Sequence, residues 1–96
     1  MKERENITRK LKASKPLLIK KYHIKSIGLF GSITRDDFRV DSDIDILVDF
    51  DKPIGIGFID LAEELEKILH RKVDLVSEKG VKSKYMKEIQ KDLLYV

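Results

Sequence analysis

Apolar residues recur along the chain with two different periods, which predict its helices and its strands. Apolar positions three, four and seven residues apart predict amphipathic helices over residues 5–22, 58–70 and 82–94. Short runs of apolar and β-branched residues predict strands over residues 24–30, 44–50 and 73–76. Inside the first helical pattern, Pro16 lacks a backbone donor and crowds the preceding turn, so we expect a break or a new helix start there.

The segments between these elements complete a simple chain order. We expect residues 32–37 to form one helical turn beginning near Ser32, and residues 38–42 to form a loop. The residues of the last helix that are predicted to face inward are Tyr85, Ile89 and Leu93. The order helix, strand, short helix, strand, helix, strand, helix predicts one α/β (α+β) domain over residues 1–96, with a small mixed sheet flanked by helices. The sequence leaves open which neighbouring strands run parallel.

Composition and charge narrow the class of protein. The chain has no cysteine and no apolar run of membrane-spanning length, so we expect a cytoplasmic protein with no membrane partner. Nine Lys and Arg residues lie in residues 1–25, and seven aspartates lie in residues 36–51. This segregation is typical of a site that binds a polyanion through metal ions, although for most of the lysines solvation of a helix face is the better explanation. Because the basic helix lacks interleaved aromatic residues, we do not expect nucleic acid as a specific partner.

Two aspartates at the start of the second predicted strand are the first candidates for chemistry. Asp43 and Asp45 are two residues apart, so in a strand they point to the same side while the apolar residues that alternate with them face a core. Two close carboxylates repel each other, and paired aspartate oxygens with open water positions suit Mg²⁺ that bridges to substrate phosphates. The spacing of Asp41, Asp43 and Asp45 does not make an EF-hand, since Ile46 replaces the required glycine and Lys52 the required glutamate.

A third carboxylate and a Gly-Ser turn extend this candidate site. Asp74 projects opposite to its apolar neighbours, so adjacent second and third strands would gather it with Asp43 and Asp45 on one face. Two carboxylates would hold metal, and the third would complete a metal position or accept a proton from an attacking hydroxyl. Gly31 and Ser32 lie at a strand-to-helix turn, where backbone N–H groups and a hydroxyl bind phosphate oxygens. Alternatively, Asp43 is a turn residue before the strand and Asp74 lines a solvent-facing surface.

The combined pattern resembles the minimal nucleotidyltransferases of the DNA polymerase β superfamily: Gly31-Ser32, ten residues, Asp43-x-Asp45, and a later strand aspartate, Asp74. The resemblance implies transfer of a nucleoside monophosphate, AMP from ATP, with pyrophosphate leaving. It also implies that Gly31 and Ser32 contact the triphosphate. By the same resemblance, Asp43, Asp45 and Asp74 are the catalytic carboxylates and the metal ligands for two Mg²⁺ ions, with Asp74 aligning or deprotonating the acceptor hydroxyl.

Arg35 is the third nucleotide-binding residue that this resemblance implies. It matches an arginine common in the family's turn, where it would bind phosphate or hold the turn. Family members often have Ala-Arg-Gly at this place, whereas this chain has Thr34-Arg35-Asp36. The departure adds a carboxylate, Asp36, to the turn.

The resemblance also implies a partner. Stand-alone members of this size commonly resemble antitoxins encoded beside a HEPN-domain ribonuclease, which they silence by adding AMP to a toxin tyrosine, by binding it, or both. The implied function is therefore a type VII-like antitoxin that modifies a tyrosine of a partner HEPN toxin, as part of a homo-oligomer or hetero-oligomer. The alternative is a non-catalytic binding module that neutralises its partner by contact alone, and the intact carboxylate set argues against it.

Overall fold

A computed structural model describes residues 2–35 and 37–96 of the chain. Asp36, with its extra carboxylate, lies outside the described residues. It is also one of the residues of the helical turn expected over residues 32–37. The elements in chain order are α1 (Lys2–Tyr22), β1 (Ile24–Phe30), a 3₁₀ turn (Gly31–Thr34), β2 (Ile44–Phe50), α2 (Gly57–Leu69), β3 (Val73–Ser77), a second 3₁₀ turn (Glu78–Gly80), α3 (Ser83–Asp92) and β4 (Leu94–Tyr95). None of the helices formed by the described residues has both the length and the apolar content that a bilayer crossing requires.

The four strands form one mixed sheet in the order β3-β2-β1-β4. β1 pairs antiparallel with β2 and with β4, whereas β2 and β3 run parallel and are connected through α2. The expected small mixed sheet flanked by helices is therefore confirmed. The register places Asp45 of β2 directly between Phe30 of β1 and Asp74 of β3, so that acidic residues from separate segments become neighbours.

Helices α1 and α2 cover one face of the sheet and form the main core with it. The buried core residues of these elements are Ile7, Leu11, Leu18 and Tyr22 of α1, Ile24, Ile27 and Leu29 of β1, Ile44, Ile46 and Val48 of β2, and Leu61, Leu65 and Leu69 of α2. The prediction that Ile44, Ile46 and Val48 face a core is confirmed. Phe50 is only partly buried, edge-on to Phe58 with ring centroids 6.3 Å apart. Because each buried Leu or Ile contributes about 1.5–3 kcal/mol, this face supplies most of the hydrophobic stabilisation.

Helix α3 lies over the opposite face and covers it thinly. Side chains alternate along a strand, so Asp45 and Leu47 of β2 point to this face together with Gly28 and Phe30 of β1. Leu47 is buried there, whereas α3, all of whose residues are described, has no buried residue. A Cβ at Gly28 would come within 2.9 Å of Leu93 Cδ1, so glycine at this position lets the chain after α3 approach β1. The candidate carboxylates therefore lie on a sheet face outside the main core.

The predicted break at Pro16 is wrong, since α1 runs without interruption from Lys2 to Tyr22. A proline inside a helix costs about 3 kcal/mol in isolation. Here Leu11 and Leu18, one on each side of Pro16, belong to the same apolar stripe, and each is only 1% exposed. Burial of both halves of the helix against one surface outweighs the local cost of the proline, which itself is exposed.

The C-terminal end of the chain differs most from expectation. Helix α3 ends at Asp92, two residues earlier than predicted, and the residues after it form a strand, β4 (Leu94–Tyr95), that was not predicted. The prediction that Tyr85 faces inward is wrong, because the residue is 57% exposed. Ile89 and Leu93 are partly buried. Pairing of β4 with β1 draws the chain out of the helix, and the half-polar sheet face below α3 offers little apolar surface to a third inward residue.

Candidate active site

The candidate site lies where β1 ends and where β2 and β3 begin. Asp45 and Asp74 are direct partners across the parallel strands β2 and β3, which lie about 4.8 Å apart in a sheet. Asp43 precedes β2 by one residue and is exposed, as is Asp74, whereas Asp45 is half-buried. Asp43 is thus the residue before the strand, as the alternative interpretation had it. The structure nevertheless brings all three aspartates to one edge of the sheet.

The pKa of Asp45 is affected by this environment. Partial burial, the charge of Asp74 and the charge of Asp43, in that order, raise the pKa of Asp45 from 3.8 to about 6. The positive charge of Arg35 acts in the opposite direction. Because an aspartate in water has a pKa near 4, the raised pKa of Asp45 means that its charged form is less favourable here than in water.

Gly31 begins the 3₁₀ turn after β1 and is in contact with Asp45. Its φ of +74° lies in the left-handed region, which residues other than glycine rarely adopt. A Cβ at this position would collide with Oδ2 of Asp45. The turn is closed by Thr34 Oγ1, which donates to the Gly31 carbonyl at 2.9 Å, and by the Arg35 N–H, which donates to the Ser32 carbonyl at 3.1 Å. Gly31 and Ser32 therefore begin a tight turn whose first residue, Gly31, lies directly against the Asp45 carboxylate.

Arg35 ends this turn and is held by two acidic partners. Its Nε and Nη2 atoms donate to the two oxygens of Asp37 at 3.1 and 3.4 Å, and its Nη1 atom donates to Asp92 Oδ2 at 2.7 Å. Hydrogen bonds to Asp37 and then to Asp92 raise the pKa of Arg35 above its ordinary value. Arg35 in turn lowers the pKa of Asp37. Since its charge also acts on Asp45, Arg35 lies within electrostatic reach of the carboxylates.

A pocket of about 290 Å³ joins the turn, the sheet edge and helix α3. Its lining residues are Phe30, Gly31, Arg35, Asp45, Glu88, Ile89 and Asp92. Glu88 and Asp92 were not predicted from the sequence, because only the fold brings α3 next to Arg35. The available signal for Asp92 was weak: a carboxylate in the last turn of a predicted helix, where the helix dipole disfavours negative charge.

The site fits a divalent cation as an open set of ligands. Within residues 2–35 and 37–96, no three side chains of His, Asp or Glu are already arranged around one point as a closed metal cage. Mg²⁺ is usually held by one or two carboxylates, with water and substrate phosphates completing its shell, and therefore needs no such cage. The carboxylate oxygens of Asp43, Asp45 and Asp74 are hard donors of the kind that Mg²⁺ prefers, and Asp74 and Asp43 both add negative charge near Asp45.

A larger cavity, of about 800 Å³, lies at the other end of the sheet, away from these carboxylates. It is lined in part by Lys21, Tyr22 and Glu64, which bond to one another: Lys21 Nζ and the Tyr22 hydroxyl donate to Glu64 Oε1 at 2.9 and 2.7 Å. Two of its charged groups, Lys21 and Glu64, are thus already paired. Size alone does not identify the active site, and the smaller pocket contains Asp45, whose pKa is raised by partial burial and by two neighbouring aspartates.

Comparison with known proteins identifies the class. The chain belongs to the family described as "Polymerase beta, Nucleotidyltransferase", whose profile matches residues 12–95. It is therefore an enzyme of the nucleotidyltransferase class, and the resemblance drawn from the sequence is confirmed.

Curated relatives match over almost the whole chain. It is 41% identical to "Protein adenylyltransferase MntA" of Thermococcus cleftensis, over 96% of this chain and 94% of that protein. It is 44% identical to a Methanocaldococcus jannaschii protein provisionally named a protein adenylyltransferase, with both chains covered in full.

Two solved structures share the fold. A protein provisionally described as a minimal nucleotidyltransferase matches with a TM-score of 0.81 at 27% identity, over 95% of this chain and 93% of that chain. A mutant form of the toxin–antitoxin pair MntA–HpeT matches with a TM-score of 0.67 at 25% identity, over 96% of this chain and 69% of that chain. The expected nucleotidyltransferase fold is thus confirmed.

Proposed function

We propose that this protein is an Mg²⁺-dependent protein adenylyltransferase that acts as an antitoxin, transferring AMP from ATP to a tyrosine of a partner HEPN toxin. The observation that carries the proposal is the pairing of Asp45 with Asp74 beside the Gly31 turn, with Asp43 close enough to raise the pKa of Asp45. The names of the two relatives support the adenylyl group as the group transferred and a protein as the acceptor.

The carboxylates have distinct roles in this proposal. Asp43 and Asp45 hold Mg²⁺, with Asp74 available as a further ligand, and the bound ions supply neutralisation of the triphosphate charge. Asp74 is exposed, so an acceptor carried by another protein can reach it. It aligns the acceptor hydroxyl and takes its proton. The acceptor oxygen forms a bond to the α-phosphorus, and the bond from that phosphorus to the pyrophosphate oxygen breaks.

The turn after β1 binds the triphosphate. Gly31 lets the backbone come close to the Asp45 carboxylate, and Ser32, the next residue of the turn, adds a hydroxyl. Arg35 supplies positive charge at the rim of the same pocket. Because phosphoryl-type transfer needs mainly alignment and charge neutralisation, these groups suffice for the reaction without a protein nucleophile.

Two observations support a HEPN toxin as the partner. One solved structure that matches this chain at 25% identity is a toxin–antitoxin complex, and the fold is shared over 96% of this chain. The other is the exposed position of Asp43 and Asp74, which leaves the site open to a macromolecular acceptor. We therefore expect a hetero-oligomer with the toxin in which the toxin tyrosine reaches Asp74.

The test is a transfer assay with a matched control. The protein, its partner toxin, Mg²⁺ and ATP labelled on the α-phosphate are incubated, and label on the toxin is measured. Asp45→Asn and Asp74→Asn should abolish labelling, whereas Asp51→Asn, the same change in an exposed turn at the far end of β2, should leave it intact. Continued labelling by either site variant would refute the assignment of that residue.

A second candidate function, neutralisation by contact alone, is favoured by one observation. Three of the five N–H donors of Arg35 are already engaged by Asp37 and Asp92, which leaves fewer for a nucleotide. If the Asp43→Ala/Asp45→Ala double variant still protects cells from the toxin, contact is sufficient. Loss of protection, with binding to the toxin retained, would support transfer.

A further inference from the structure

We propose that Asp92, at the C-terminal end of α3, is a positioning residue that holds Arg35 in the orientation needed to bind the triphosphate. The inference rests on the proposed function only in taking Arg35 as a phosphate ligand. Asp92 itself contacts Arg35, and it acts on the nucleotide through that contact.

The donors of Arg35 define the available geometry. A guanidinium has five N–H donors. Three are engaged, two by Asp37 and one by Asp92, which leaves two for a phosphate. With the guanidinium held from two sides, the remaining donors point in a fixed direction, so little rotamer entropy is lost when phosphate binds.

The two acidic partners are not equivalent. Asp37 lies two residues from Arg35 and its side chain is 63% exposed, so it moves with the same loop. Asp92 lies on another element, 57 residues away in sequence, and its side chain is only 22% exposed. In the described part of the chain, Asp92 is therefore the carboxylate that ties Arg35 to α3, an element that is distant in sequence and also lines the pocket.

The position of Asp92 on its helix supports this role. The C-terminal end of a helix carries partial negative charge, so a carboxylate there is unfavourable unless a cation compensates it. Lys91, also in the last turn, bonds instead to Glu88 at 3.1 Å. The compensating cation for Asp92 is Arg35, at 2.7 Å. The ion pair with Arg35 across the pocket therefore explains why an aspartate is present at a helix position that disfavours negative charge.

The experiment separates nucleotide binding from transfer. Affinity for α,β-methylene-ATP, whose α–β bridge cannot be cleaved, is measured with Mg²⁺ by calorimetric titration. KM for ATP and kcat are measured by labelling of the toxin. Asp92→Asn should raise Kd and KM about fivefold, the factor expected when a partly exposed ion pair is lost. The value of kcat should change less, and Asp92→Glu should restore part of the affinity.

Two controls isolate the contact with Arg35. Asp51→Asn removes one negative charge at the far end of β2 and should not change Kd. In an Arg35→Ala background, Asp92→Asn should have no further effect on Kd, because the residue through which it acts is gone. Equal effects of Asp92→Asn in both backgrounds would overturn the proposal.

The remaining outcomes are also decisive. Tighter nucleotide binding by Asp92→Asn would overturn the proposal, since it would mean that Asp92 competes with phosphate for Arg35. An altered melting temperature with unchanged Kd would likewise overturn it in favour of a purely structural role. If the protein binds α,β-methylene-ATP with this dependence on Asp92 but labels no toxin, the proposed transfer fails while the positioning role stands.

Discussion

Replacement of Asp45 by Asn should stabilise the metal-free protein while abolishing transfer. Asn keeps the shape of the side chain against Gly31 but removes a charge that burial, Asp74 and Asp43 all disfavour. The rise of the Asp45 pKa from 3.8 to about 6 corresponds to about 3 kcal/mol if it acts in full. Because Asp45 is only half-buried, solvent screening reduces this to about 1–1.5 kcal/mol. In a domain of this size, that is a rise in Tm of about 4–12 °C.

The pH dependence gives the sign of the effect. The pKa of Asp45 is higher in the folded than in the unfolded state, so between about pH 4 and pH 6 the folded protein binds more protons. The contribution of Asp45 to wild-type stability therefore falls as pH rises through that window and is level above it. The advantage of Asp45→Asn should be full above about pH 6 and should vanish near pH 4.

Urea unfolding in EDTA, at several pH values from 4 to 7.5, measures this difference directly. Asp51→Asn is the control, and as an exposed turn substitution it should stay within about 0.5 kcal/mol of wild type at every pH. Equal stability of Asp45→Asn and wild type at pH 7.5, or a variant that is less stable there, would refute the electrostatic reasoning.

Three further predictions test the fold and the site. Gly31→Ala should lower the free energy of unfolding by about 1–3 kcal/mol and weaken nucleotide binding, because φ is positive and the new Cβ meets Asp45. A variant that unfolds in urea at the same concentration as the wild type would contradict this. Pro16→Ala should raise the free energy of unfolding, measured by thermal unfolding, by about 1 kcal/mol or more, since α1 is continuous through an exposed proline. A loss of stability would indicate that the helix is broken at this residue. Mg²⁺ with ATP should raise the Tm of wild type by mass action but not that of Asp45→Asn, and equal shifts would exclude Asp45 as a ligand.

Much of the candidate site could be predicted because its spacing is local. Asp43 and Asp45 are two residues apart at the start of a strand whose apolar alternation is clear, and the bounds of that strand, Ile44–Phe50, match the prediction. The pairing of Asp45 with Asp74 depends on which strands are neighbours, and strand order is decided by packing of the whole chain. From the sequence, the pairing of Asp45 with Asp74 could therefore be predicted only on the condition that the second and third strands are neighbours.

The errors arose where tertiary contacts outweigh local preference. Pro16 has a strong local effect, but the stripe of Leu11 and Leu18 on either side of it is buried as one surface. Tyr85 fits a helical apolar spacing, yet the sheet face beneath α3 is half polar and leaves its ring exposed. The ion pair of Arg35 with Asp92 joins residues that no periodicity connects.

The thin cover that α3 provides has a consequence for local opening. Backbone amides in β1 and β2 are protected by the main core and should exchange with solvent only when the whole domain unfolds. The amides of α3 should exchange much faster, since releasing a helix with no buried residue exposes little apolar area. The protein would then combine a rigid sheet, which fixes the aspartates, with a helix, α3, that detaches at a small cost in free energy. A bound nucleotide or toxin would slow the amide exchange of α3.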